Sequence, residues 1–223
     1  MRAGANSPVE APALKTPQSR GWFITLEGID GAGKSSQFRA VVETLRGLGR
    51  AVVATREPGG TPLGERLREL LLNEPMSTSA EALLVFAARQ EHVLHVIEPA
   101  LLRGQDVVCD RFTDATLAYQ GAGKGIPRDR LEALAQWVHP GLEPDLTLLL
   151  DLPAEVAAQR MQAQGRAADR FEREPQEFFA RVRRQYLELA REQPRRWRVI
   201  DANRSLEEVR EDVLQSLKSL LEA

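Results

Sequence analysis

The stretch Gly28-Ile29-Asp30-Gly31-Ala32-Gly33-Lys34-Ser35 follows the apolar run Trp22-Phe23-Ile24-Thr25-Leu26 and opens onto a helix-period segment beginning at Ser36. A strand, a glycine loop and a helix with the spacing G-x-x-x-x-G-K-S let backbone N–H groups turn inward around a phosphate chain. The helix start adds positive partial charge. Lys34 is placed to reach the terminal phosphates of a nucleoside triphosphate, and the Ser35 hydroxyl to hold Mg²⁺.

Outward from this loop, strands and helices alternate. Apolar residues recur at helical spacing at Phe38, Val41, Val42, Leu45 and Leu48. Ala51–Thr55 reads as a strand ending in the turn Arg56-Glu57-Pro58-Gly59-Gly60, and a helix follows with Leu63, Leu67, Leu70 and Leu71 on one face. Thr78 with Glu81 reads as a capping box for a long helix toward Pro99 and Leu102. Further strands are expected at Asp106–Asp110, Leu146–Asp151 and Arg198–Asp201, and a last helix is capped by Ser205 with Glu208. The expected fold is α/β, a three-layer P-loop NTPase arrangement. It has a five-stranded parallel sheet, helices on both faces and a short lid segment. Residues 1–20, rich in Pro, Ala and Ser, read as a disordered tail without the apolar core of a secretory signal. Residues 21–223 read as one domain, with the lid at about 162–174.

A formal charge of −2 over 223 residues gives no global field toward nucleic acid or an anionic membrane. No apolar run approaches the ~20 residues of a membrane helix. The one cysteine, Cys109, sits in an apolar run and excludes an internal disulfide. The expectation is a cytoplasmic protein with neither nucleic-acid nor membrane partners. The loop Gly121-Ala122-Gly123-Lys124-Gly125 repeats Gly-Ala-Gly-Lys but lacks the earlier glycine and the hydroxyl, and reads as a flexible connection. His92 and His95 lie one helical turn apart with no acid or cysteine partner in sequence, and read as helix packing or a dimer surface. Trp22, Trp137 and Trp197 are assigned to packing, and Arg191, Arg195, Arg196 and Arg198 to a solvated face.

Ligands in parallel sheets bind beyond the carboxyl ends of the strands. Loops 56–60, 110–120 and 162–174 should therefore gather around the phosphate loop. Asp30 lies inside that loop. Its carboxylate either points away to accept from a sugar hydroxyl or a metal-bound water, or is an acid favoured at a helix start, and the residues alone leave both open. Arg111, just past a buried strand, could clamp an anionic acceptor bidentately, with Asp110 orienting it or holding a Mg²⁺-bound water. Arginines on a mobile segment at 162–174 suit phosphoryl transfer, which runs on positioning and charge neutralisation. No Asn-Lys-x-Asp segment is present to read guanine.

Phe23–Ser35, Thr55-Arg56-Glu57-Pro58-Gly59-Gly60-Thr61, Asp110-Arg111-Phe112 with Ala118-Tyr119-Gln120-Gly121, and Asp169-Arg170-Phe171-Glu172 resemble the bacterial thymidylate kinases, in family order over roughly residues 21–220. The phosphate loop alone is generic, whereas the Arg-Glu-Pro-Gly-Gly and Asp-Arg…Ala-Tyr-Gln elements are specific. The resemblance implies transfer from ATP to dTMP giving dTDP, with Mg²⁺, in a homodimer. It implies ATP held by Gly28, Ile29, Asp30, Gly31, Ala32, Gly33, Lys34 and Ser35. It places Asp30 at the sugar 3′-hydroxyl, Arg111 with Asp110 at the acceptor phosphate, and Arg89 at a thymine carbonyl. Thr116 would serve the base edge, Tyr119 would sit beneath the sugar, and Pro58 and Gln120 would line the acceptor cleft. Arg166 and Arg170, with Arg160 behind them, are the candidate lid cations, because Gly31 stands where some relatives carry an arginine. The stacking Phe of many relatives is Val85 here, with Phe86 one residue later.

Overall fold

The computed structural model describes residues 20–163 and 169–222. Five strands, β1 (Phe23–Glu27), β2 (Val52–Arg56), β3 (Asp106–Asp110), β4 (Leu146–Asp151) and β5 (Trp197–Asp201), pair in the order β2-β3-β1-β4-β5. Every pairing is parallel. β1 and β4 are buried throughout save Asp151, which explains their nearly unbroken apolar runs.

Alternate residues of the strands feed opposite faces. Ile24, Leu26 and Val108 pack with Val41, Val42 and Leu45 of α1 (Lys34–Gly47) and with Val209, Val213 and Leu217 of α9 (Leu206–Leu221). Phe23, Val107 and Cys109 lie under Val93 and Ile97 of a π-helical stretch (Val93–Ile97) and under Ala100 and Leu101 of α4 (Glu98–Leu102). Helices therefore cover both faces. The remaining helices are α2 (Pro62–Asn73), α3 (Thr78–His92), α5 (Thr113–Thr116), α6 (Arg128–Val138), α7 (Ala154–Ala163) and α8 (Gln176–Glu192). A second π-helical stretch, Leu117–Gly123, continues α5.

Local signals decide some ends. Ser205 and Glu208 form the capping box expected for α9. The box expected at Thr78 does not form: Ser77 Oγ accepts from the Ala80 N–H, and the Glu81 carboxylate is buried elsewhere. The Gly121–Gly125 connection is packed rather than flexible. Arg181 donates to the carbonyls of Ala122 and Gly123, and a Cβ on Gly123 would lie 2.5 Å from the Phe178 ring. Trp137 is 79% exposed, against its assignment to packing, and Leu63 and Leu70 of α2 are exposed too. Arg196 is no solvated residue: it pairs bidentately with Asp114 beside Thr147. The tail through residue 19, Arg166 and residues 164–168 of the expected lid lie outside the described residues.

Candidate active site

β1 and β3 are neighbours with Leu26 opposite Asp110, so the loops leaving their carboxyl ends emerge side by side. The Arg111 N–H extends the ladder by donating to Leu26 O. Gly28 turns the chain out of β1 at φ 136°, where a Cβ would lie 2.6 Å from Leu150 O. Ile29 and Ala32 bury their side chains in the core, so they offer a ligand only backbone. α1 then starts at Lys34 with Gly33 as a left-handed cap.

Lys34 Nζ donates to Gly28 O at 3.0 Å and to Ile29 O at 3.1 Å. Arg111 Nη1 donates to the same Gly28 O at 3.0 Å. Two cations thus converge on one carbonyl, with the Asp30 carboxylate between them, 2.7 Å from Arg111 Nη2 and 3.8 Å from Lys34 Nζ. Arg111 also donates to the hydroxyls of Tyr119 at 2.9 Å and Tyr186 at 3.1 Å, and its guanidinium lies over the Tyr119 ring. It holds φ 72°, a strained conformation for a residue with a side chain. Tyr119 donates to Asp30 at 3.0 Å. Burial alone would push the Asp30 carboxyl upward, but Arg111 and Lys34 outweigh it and bring it down to about 2. The Asp30 carboxylate thus accepts from Arg111 and Tyr119 across the crevice.

A cavity of about 620 Å³, within the usual range for small-molecule sites, runs from this cluster toward α3. Asp30, Gly31, Gly33, Lys34, Ser35, Pro58, Arg89, Asp110, Arg111, Thr116, Tyr119 and Gln120 all line it. At the far end Arg89 donates from Nε to Glu57 Oε2 at 2.6 Å and from Nη2 to Thr116 Oγ1 at 2.9 Å. The Glu57–Pro58 peptide is cis.

Other expected residues lie elsewhere. Phe86 turns toward Ala82 and Leu131 and stacks on the Arg89 guanidinium from behind, while Val85 faces the cavity, because packing against α6 sets the rotation of α3. Arg170 does not reach the phosphate loop. It forms an ion pair with Glu81 at 2.7 Å and donates to Leu71 O. Arg160 donates to Ala202 O. Gln120 and Lys124 donate to Glu81 as well, so this buried carboxylate gathers three partners from two segments.

The structure adds residues that sequence reading missed. Arg68 lines the cavity and donates to Pro58 O, and Phe171 and Glu172 close one side. Tyr186 bridges Arg111 to Glu27 Oε2, and Glu27 also accepts from the Phe112 N–H. The Phe23–Gly28 run carried a clue, since an acid inside a fully buried strand must find donors. Burial, reinforced by Asp114, pushes the Glu27 carboxyl up to about 8 despite Arg111, Tyr186 and the Phe112 N–H.

A Mg²⁺ site fits the same crevice. Asp110 Oδ1 is buried and has no hydrogen-bond partner among the described residues, and it lines the cavity with Ser35. Mg²⁺ commonly takes one or two protein oxygens and fills its shell with water and phosphate. The lack of a cluster of three or more His, Cys, Asp or Glu among the described residues is compatible with that.

Known proteins match this chain closely. A family model described as thymidylate kinase matches residues 26–213. The thymidylate kinase of Methylobacillus flagellatus is 58% identical over 199 residues, covering 89% of this chain and 98% of its own. That of Bordetella pertussis is 57% identical over 202 residues, covering 91% and 97%. The crystal structure of thymidylate kinase from Ehrlichia chaffeensis superposes with a TM-score of 0.73 at 34% identity, over 89% of this chain and 99% of that one. Matched over most of its length by that family model and by relatives more than half identical to it, this chain belongs to the thymidylate kinase family.

Proposed function

We infer that this chain transfers the γ-phosphoryl group of ATP to the 5′-phosphate of dTMP, giving dTDP and ADP, a step toward dTTP. The observation that carries the inference is the convergence of Lys34 and Arg111 on Gly28 O inside one cavity, with Arg89 at its other end. An acceptor phosphate oxygen attacks the γ-phosphorus, and the bond to the β-bridging oxygen breaks as ADP departs. The acceptor is already anionic, so no general base is required. Lys34 and the loop N–H groups neutralise the donor phosphates, and Arg111, whose Nη atoms meet Gly28 O, Asp30, Tyr119 and Tyr186, exchanges part of these contacts to present its planar fork to the acceptor phosphate.

Ser35 Oγ and, through water, Asp110 would hold Mg²⁺, which supplies charge neutralisation across the donor phosphates. Asp30 is an acceptor-only carboxylate with capacity beyond Arg111 and Tyr119, which suits a sugar 3′-hydroxyl. Tyr119 stands against the sugar, and Pro58 and Gln120 wall the acceptor cleft. Thr116 steadies Arg89 at the base edge. Val85, rather than Phe86, is the α3 residue set to meet the base. The charged segment at about 162–174 is the lid, and Arg166 is its candidate cation, since Arg170 is engaged by Glu81.

Leu63 and Leu70 of α2, Leu83 of α3 and Leu94 after it are exposed, which supports a homodimer built on these helices. No helix among the described residues is long and apolar enough to cross a membrane. The cytoplasm, where ATP and deoxynucleotides meet, is the proposed compartment.

The test is dTDP formation from ATP and Mg²⁺ across dTMP, dUMP, dCMP, dGMP and AMP. Turnover confined to thymine and uracil deoxynucleotides is expected. ATP consumption that does not depend on dTMP would point instead to a nucleotide switch.

A further inference from the structure

Arg89 is 1% exposed, and its guanidinium is held on every side but one. Nε donates to Glu57, Nη2 to Phe112 O and Thr116 Oγ1, and the rings of Phe86 and Phe112 lie 4.8 and 5.2 Å from its centre. Nη1 is buried with no partner among the described residues, on a side chain that lines the cavity. An unanswered donor on a buried cation is costly, so a carbonyl oxygen delivered there by a ligand gains more than it would in water.

Behind Arg89 the chain of contacts continues away from the cavity. Glu57 Oε1 is 2.9 Å from His92 Nδ1, and His92 Nε2 is 2.6 Å from Thr55 Oγ1. His92 is fully buried and is absent from the cavity lining. Burial opposes ionisation of Glu57, but Arg89 and His92 hold its carboxyl below the ordinary value. An ionised carboxylate only accepts, so Nδ1 carries the proton. With each oxygen committed to a different partner, the Glu57 carboxylate cannot rotate without breaking one bond. Arg89 meets it through Nε alone, so a turned carboxylate would swing the guanidinium and move Nη1.

We propose that His92 is a positioning residue for base recognition, acting through Glu57 to hold Arg89 Nη1 toward a pyrimidine that carries a carbonyl rather than an amino group. The proposal rests on dTMP being the acceptor. His92 itself touches neither nucleotide.

The test uses the full-length enzyme with His92→Phe, which keeps an aromatic ring, of somewhat larger volume, and removes both hydrogen bonds. His92→Asn, whose amide nitrogen can stand in for Nδ1, is the rescue. Both are assayed for kcat and KM with dTMP, dCMP and ATP, alongside thermal midpoints. For His92→Phe the KM for dTMP should rise about tenfold, the order of one lost hydrogen bond on a buried charge. The preference for dTMP over dCMP in kcat/KM should fall by a similar factor, with the KM for ATP within about twofold. His92→Asn should recover most of the preference. A lowered thermal midpoint with unmoved dTMP KM and preference would make His92 merely structural, and a parallel rise in both substrates' KM would also overturn the proposal. If His92→Phe does not fold, Thr55→Val frees only Nε2 and should move the preference in the same direction; an unmoved preference there refutes it. Wild-type enzyme that favours a different monophosphate sinks the assigned function, whereas dTMP-specific wild type with unmoved variants sinks this inference alone.

Discussion

Replacing Arg111 with alanine separates its structural work from its chemical work. The side chain is 16% exposed and donates to Gly28 O, Asp30, Tyr119 and Tyr186. Stripping one partner from a fully buried ion pair costs about 3–5 kcal/mol. Asp30 is 27% exposed and keeps Lys34 at 3.8 Å and the Tyr119 hydroxyl, so roughly 2 kcal/mol of stability is the expected loss once solvent screening is allowed for. Backbone strain does not change, because alanine at φ 72° carries the same Cβ. The chemical effect should be larger. Removing one positioned donor from a developing charge typically costs 10²–10³-fold, or about 2.7–4 kcal/mol. A coupled assay of ADP release, with saturating ATP and varied dTMP, should show kcat/KM for dTMP falling by about that factor. Urea unfolding of the same preparation reports the stability loss. Arg111→Lys retains charge but not the planar fork and should fall between wild type and alanine. A folded Arg111→Ala enzyme within roughly threefold of wild type, about 0.6 kcal/mol, would remove this arginine from the mechanism.

Two further perturbations probe the scaffold beneath the site. The Glu27 carboxyl, ordinarily at 4.5, is raised to about 8, chiefly by burial and then by Asp114, so between these values the folded chain holds a proton that the unfolded chain has released. Its contribution is fully present below 4.5 and is lost as pH rises toward about 8, with a slope of up to about 1.4 kcal/mol per pH unit. Glu27→Gln should flatten that fall in urea unfolding between about pH 5 and about pH 8, and parallel curves for the two proteins would refute it. Gly123→Ala should lower the thermal midpoint by the equivalent of about 1–3 kcal/mol, because its Cβ would meet the Phe178 ring at 2.5 Å. Gly47→Ala, at a helical site with nothing within 4 Å, should instead raise stability by roughly 0.5–1 kcal/mol.

Local rules made much of this protein legible from residues alone. The spacing from Gly28 to Ser35 needs only a strand, a tight glycine turn and a helix start, all of which are short-range demands on the backbone. Five apolar runs between helix-period segments were enough for a parallel sheet, because a strand covered on both faces must be apolar along its length. The strands appear where those runs lie, within a residue or so. That Arg111 would face the phosphate loop follows from loops gathering at the carboxyl ends of neighbouring strands, and the β1–β3 pairing realises it.

Only the tertiary structure decided who partners whom. Glu81 has the right spacing for a cap, yet Ser77 takes that role and Glu81 draws in Gln120, Lys124 and Arg170 from segments distant in sequence. Phe86 and Val85 differ by one step on a helix, about 100° of rotation, and the packing of α3 against α6 chose which one faces the cavity. Glu57 reads as part of a turn and His92 as packing until folding brings the loop after β2 onto α3 and bonds the Glu57 carboxylate to both Arg89 and His92. The reason is physical: a backbone conformation is set by the few residues that adopt it, whereas a buried charge is satisfied by whichever donors folding delivers. That delivery is a property of the assembled chain.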